Sequence, residues 1–158
     1  EGRSTTGIAS DHDAQIARKD LDVALRANPL DMGVLISRAR AAYAMNDFDA
    51  AATDYSTILE IMPNNTDAMF ALGVISQLQG QYRAAIEKYT EFLEIHPEND
   101  TIIYERGNCY YHLGIVDRAI EDYRDAVRIS PNKADFKRQL RKAEALRDLI
   151  SEVNKPLR

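Results

Sequence analysis

The 158-residue chain has a single cysteine, Cys109, so no intramolecular disulfide can staple it. That scarcity favours a reducing, cytoplasmic compartment. Long apolar runs are missing too. The longest, "AMFALGVI", falls far short of the roughly 20 residues that a membrane helix needs, which argues against membrane insertion. No signal-peptide pattern opens the chain. Its first residue is Glu1 rather than Met, as in a processed chain or a fragment. A processed chain leaves an exported or periplasmic location open, and a fragment leaves open a regulatory segment of a larger enzyme or sensor.

Positive charge is in short supply. Lys and Arg number 20 against 25 Asp and Glu, a net charge of −5, which argues against a general nucleic-acid binder. The deficit is uneven: residues 132–158 hold eight Lys/Arg against four Asp/Glu, so the body before them is more acidic than the whole. The simple reading is a solvated basic cap on an acidic body.

Signatures of catalysis are also absent. The sequence has no glycine-rich phosphate loop, no "HExxH" and no "GxSxG". Cys109 and His112 are three apart and share a helix face, yet neither Asn108 nor His96 completes a set of metal ligands. A Cys–His nucleophile pair also needs an orienting group and an oxyanion site. No catalytic residue, metal or cofactor is therefore assigned, and the chain reads as a non-enzyme. The sequons at Asn64 and Asn99 fall in turns and matter only in a glycosylating compartment.

What the chain does have is punctuation. Pro29, Pro63, Pro97 and Pro131 lie 34 residues apart, and cutting the chain on them gives three gapless blocks, residues 32–65, 66–99 and 100–133. In each block two helical stretches flank a break at Asn46, Gly80 or Gly114, residue types that tolerate the left-handed conformation ending a helix. The second stretches carry Ala51, Tyr55 and Ile58; Ala85, Tyr89 and Phe92; and Ala119, Tyr123 and Ala126, each trio on one helical face. Proline then closes the second helix, because it lacks the N–H and disfavours helix in the residue before it. Asn, Asp and Thr residues near each proline supply caps for the next helix. A single helical hairpin cannot bury its apolar face, but a stack of hairpins makes a continuous core.

With Met69, Leu72, Gly73, Ala85, Tyr89 and Pro97 in the middle block, and Gly107, Tyr110, Ala119, Tyr123 and Pro131 in the third, the chain resembles the tetratricopeptide repeat (TPR) family. The first block is more worn, with Ala39 and Ala42 where Gly and Tyr are usual. The resemblance implies an all-α, right-handed superhelical solenoid. Its expected parts are a flexible tail over residues 1–10, an N-terminal packing helix or half repeat over 11–31, repeats over 32–65, 66–99 and 100–133, a capping helix over 134–153 and a frayed tail over 154–158. Ala17, Leu21 and Ala24 give the first helix its core face. Phe136, Leu140, Ala143, Leu146 and Ile150 do the same for the last.

One departure is legible from the chain itself. Arg38 and Arg106 stand where the middle repeat has Leu72, and sixteen residues on the same two repeats carry Asp54 and Asp122 where the middle one has Lys88. The paired appearance predicts structural ion pairs Arg38–Asp54 and Arg106–Asp122.

In proteins of the family, first helices line a groove that holds a peptide or partner helix. The corresponding positions here are Ile36, Arg40 and Tyr43; Phe70, Val74 and Gln77; and Tyr104, Asn108 and Tyr111, with Arg138 and Lys142 on the terminal helix. Aromatics and Arg are over-represented among residues that carry binding energy. The resemblance therefore implies a non-catalytic scaffold for a protein or peptide partner. Three alternatives stay open: Tyr104, Tyr111 and Phe70 cover the terminal helix or tail instead of a ligand; the solenoid self-associates as a homo-oligomer or assembly module; or it regulates a larger protein. One branch of the family grips chaperone C-termini with a Lys/Asn/Asn/Lys/Arg clamp. The matching positions are Ile36, Arg40, Ala71, Thr101 and Glu105, none of which fits, and Glu105 repels a carboxylate. A related family of RNA-reading hairpins has a 35-residue period, which this chain does not share.

Overall fold

A computed structural model describes the backbone of residues 5–156 and the side chains of residues 12–156. The described residues form eight helices and no strand: α1 (Thr5–Ala27), α2 (Met32–Ala44), α3 (Phe48–Ile61), α4 (Thr66–Leu78), α5 (Tyr82–Ile95), α6 (Asp100–His112), α7 (Val116–Ile129) and α8 (Ala134–Val153). None of them is long and apolar enough to cross a membrane. The chain divides within α4 into two compact units, residues 1–71 and 72–158.

The helix boundaries are set by side-chain caps and left-handed residues. Asp31, Asn65 and Asn99 each follow a proline by two residues, and each accepts a hydrogen bond from the N–H three residues on, at 3.1, 2.9 and 3.0 Å. These bonds satisfy donors that the first turns of α2, α4 and α6 would leave orphaned. At the same place in the fourth segment stands Lys133, which caps nothing with its side chain. Between the helices of each hairpin, Asn46, Gly80 and Gly114 adopt φ values of 58°, 73° and 72°. The following N–H groups then reach back to Ala42, Ser76 and Tyr110 carbonyls at 2.9, 2.8 and 2.9 Å, closing each first helix.

In the first unit α2 packs on both α1 and α3. Ala39, Ala42 and Ala51 are fully buried, and their small side chains let helices approach closely; Leu25, Leu35, Tyr55 and Ile58 fill the rest. On α1 the inward residues are Leu25 with the half-buried Leu21 and Ala24, while Ala17 is exposed. Helix α1 begins at Thr5, so the tail expected over residues 1–10 is helical from Thr5 onward, while residues 1–4 lie outside the described residues. No proline interrupts the stretch ahead of residue 11, and extending an existing helix forms one hydrogen bond per residue fixed.

In the second unit α6 packs against α5 and α7, and α7 against α8. The core centres on two second-helix tyrosines, Tyr89 and Tyr123, which are 0% and 1% exposed. Truncating a buried aromatic of this kind costs about 3–5 kcal/mol. Each ring presses on a glycine of the preceding helix: a Cβ on Gly73 would lie 2.4 Å from the Tyr89 ring, and one on Gly107 would lie 3.0 Å from the Tyr123 ring. Phe136 and Ala143 fix α8 to this core, with Leu140 and Leu146 half-buried, whereas Ile150 is exposed. The C-cap of α8 is Asn154; residues 157–158 of the expected frayed tail lie outside the described residues.

Candidate functional site

In the first unit, Ile36 is half-buried, Arg40 is exposed, and Tyr43 and Phe70 remain 37% and 42% exposed. Tyr43 meets Phe48 edge-on, with centroids 5.6 Å apart. Burial raises the pKa of Tyr55, which the charge of Arg40 and then its hydrogen bond oppose. Arg38 joins three helices. It donates Nε and Nη2 to Asp54 at 2.8 and 2.6 Å, and Nη1 to Asp22 of α1 at 2.8 Å. The bonds to Asp54 and Asp22 raise its pKa against the opposing effect of burial. Arg18 meanwhile donates to Asp47 at 2.6 Å and holds that carboxyl below its ordinary range.

In the second unit, the two buried tyrosines need acceptors for their hydroxyls. Tyr89 donates to Gln77 Oε1 at 2.7 Å, and Tyr123 donates to Asn108 Oδ1 at 2.8 Å. With their oxygens so engaged, both amides turn their nitrogens toward one carboxylate. Gln77 Nε2 donates to Glu105 Oε2 at 2.9 Å, and Asn108 Nδ2 donates to the same oxygen at 3.2 Å. The outcome is a continuous polar chain, Tyr89–Gln77–Glu105–Asn108–Tyr123, with a half-buried carboxylate at its middle. Gln77 and Asn108, both among the expected groove positions, are thus committed within the unit. Glu105, which the sequence marks only as a mismatch to a carboxylate clamp, is the group they present.

The aromatic members of the expected groove divide. Tyr104 stacks on Phe136 of α8, with centroids 4.5 Å apart, and is half-buried, so the terminal helix covers this ring in part. Burial raises its pKa, and Glu105 adds to the effect. Tyr111 carries the Lys142 ammonium 5.4 Å from its ring centroid. Val74 is half-buried, and Arg138 is exposed and paired with Asp135 of its own helix. A shallow hollow of about 630 Å³ lined by Phe92, Ile95, His96, Pro97, Glu98 and Asn99 includes none of these positions.

Cys109 and His112 do not act together. The thiol is wholly buried and burial pushes its pKa up to about 12, while His112 is exposed and stacks on Tyr82 at 4.8 Å. Among the described residues no group of three or more His, Cys, Asp or Glu side chains gathers as a metal site.

The run of helical hairpins in the described residues matches a known pattern. A profile of the tetratricopeptide repeat matches residues 11–66, 36–76 and 78–134. The chain belongs to the tetratricopeptide repeat family, and its fold is an all-α helical-repeat solenoid. Solved structures of similar fold include MamA, residues 41 to the end, from Desulfovibrio magneticus RS-1, which is 21% identical with a TM-score of 0.78 over 85% of this chain and 76% of that one. A further crystal structure of MamA is 18% identical with a TM-score of 0.80 over 96% and 89% of the two chains. The first TPR domain of Spaghetti (RPAP3), bound to the HSP90 peptide SRMEEVD, is 16% identical with a TM-score of 0.67 over 73% and 91%. A comparison with curated protein sequences finds no significant match.

Proposed function

We propose that this chain is a non-catalytic interaction module that binds a peptide or partner segment on the faces of its first helices. The observation that carries the reading is the exposure of Tyr43 and Phe70, 37% and 42%, beside a core that is complete without them. Large rings that can desolvate against a partner are the usual anchors of an interface. The exposed Arg40, three residues before Tyr43 on α2, and the Lys142–Tyr111 pair add cationic groups that select among ligands. A protein of the same fold, RPAP3, has been solved with a bound peptide, which supports segment binding as a use of this architecture. That peptide, SRMEEVD, is acidic, and Glu105 argues against a ligand of the same character here.

The test is a random-peptide display screen against the wild-type protein and against a Phe70→Ala/Tyr111→Ala variant. The wild type should enrich a family of sequences that the variant does not. Enrichment of identical peptides by both proteins would place the contact surface elsewhere.

A second reading, self-association, is favoured by the exposed apolar end of α8, where Leu149, Ile150 and Val153 are 64%, 44% and 82% exposed. Light scattering over a concentration series separates the two: a monomer at every concentration removes the second.

A further inference from the structure

Glu105 lacks what a half-buried carboxylate usually has, an opposite charge. Its Oε2 accepts two amide hydrogens, and its Oε1 has no partner among the described residues. Three basic side chains of α8 and the turn before it have other partners: Lys133 pairs with Asp100 at 2.7 Å, Arg138 with Asp135, and Lys142 lies over Tyr111. The two amides cannot swing away to compensate, because each is anchored by the hydroxyl of a buried tyrosine. The carboxylate is therefore held in place before any ligand arrives, and its charge adds to the raised pKa values of Tyr104, Cys109 and Tyr123.

A partner that covers this face displaces water from Glu105. Burying an unpaired carboxylate is strongly unfavourable, whereas supplying a cation turns the same desolvation into a charge-assisted hydrogen bond at lowered dielectric. Resting on the reading of this face as a segment-binding surface, we infer that the occupant is a protein segment bearing a Lys or Arg side chain, which pairs with Glu105 through Oε1. Gln77 and Asn108 are the positioning residues for that contact, and the electrostatic preference is for basic over acidic segments.

The experiment is a screen of short N-acetylated peptides of randomised sequence, so that no free amino terminus supplies the cation. The targets are the wild type, Glu105→Gln and Glu105→Lys, each checked for cooperative melting. The wild type should enrich sequences with Lys or Arg at one position. Glu105→Gln, which keeps the side-chain length and an acceptor oxygen for one amide, should bind those peptides about tenfold more weakly. Glu105→Lys should enrich Asp or Glu at the same position; if that variant fails to fold, the Gln variant decides. Wild-type peptides without a basic preference, bound equally by Glu105→Gln, would overturn the charge assignment while leaving segment binding intact. Failure of the wild type to enrich any peptide would overturn both.

Discussion

Arg106 on α6 holds Asp122 on α7 with two N–H donors, Nε at 2.9 Å and Nη2 at 2.8 Å, while its Nη1 reaches Thr90 on α5 at 3.2 Å. The Asp122 side chain is only 7% exposed, so the pair differs from a surface ion pair worth little. Removing Arg106 alone strands a buried carboxylate. We expect Arg106→Leu to destabilise the fold by about 2–4 kcal/mol in urea titrations. The middle repeat shows the remedy, since Leu72 is buried there and Lys88 pairs with Glu91 at 2.9 Å on its own helix. Adding Asp122→Lys to Arg106→Leu recreates that arrangement, with Asp125 in the place of Glu91, and should recover more than half of the loss. Equal destabilisation of the single and double variants would show that the two residues are not coupled.

The glycines beneath Tyr89 and Tyr123 are distinguishable. Replacing a helical Gly by Ala gains about 1 kcal/mol in propensity. Forcing a methyl to 2.4 Å from the immobile Tyr89 ring costs more, as overpacking of a filled core does. At Gly107 the contacts with Tyr123 and Asp122 are 3.0–3.1 Å, a strain that small shifts relieve. Gly73→Ala should therefore lose about 1–2 kcal/mol, and Gly107→Ala clearly less. A thermal melt of each against the wild type checks the order.

Acid sensitivity should trace partly to Asp100. Hydrogen bonds from Lys133 first, and from Ser130 and Thr101, hold its carboxyl at about 2 in the folded state. The unfolded carboxyl titrates near about 3.9. A depressed folded pKa means that this stabilisation is fully present above about pH 4 and is lost as pH falls toward 2. The difference in melting temperature between wild type and Asp100→Asn should be largest near neutrality and shrink toward zero at about pH 2. A constant difference across that range would assign the effect to something other than ionisation.

The Cys109 thiol should be inert in the native protein. Burial pushes its pKa up to about 12, so at pH 8 only about one molecule in ten thousand carries the thiolate. A disulfide exchange reagent should titrate no thiol in buffer and one thiol per chain in guanidinium. Rapid reaction without denaturant would contradict the packing around α6.

Much of the fold could be read from the chain because the repeat encodes it locally. The prolines and the left-handed Asn46, Gly80 and Gly114 act within one 34-residue unit and appear in all three copies, while the Arg–Asp pairs appear together in two and are absent together from the third. The site was less legible because its geometry depends on contacts that do not repeat. Helical spacing placed Gln77 and Asn108 on one face, but not the demand of two buried tyrosine hydroxyls for acceptors, which turns both amides inward. Tyr104 likewise lies against Phe136 of a helix outside the repeat. A usable signal for Glu105 was present: a carboxylate among amide positions with no basic residue three or four away toward the helix C-terminus.

The tyrosine-to-tyrosine hydrogen-bond chain also gives the molecule its own optical gauge. The sequence holds eight tyrosines and no tryptophan, so its near-ultraviolet emission is tyrosine emission alone. The phenols of Tyr89 and Tyr123 are separated from Glu105 by a single amide each. A cation arriving at that carboxylate tugs on both bonds at once, so occupancy of the face should register as a change in brightness without any attached dye.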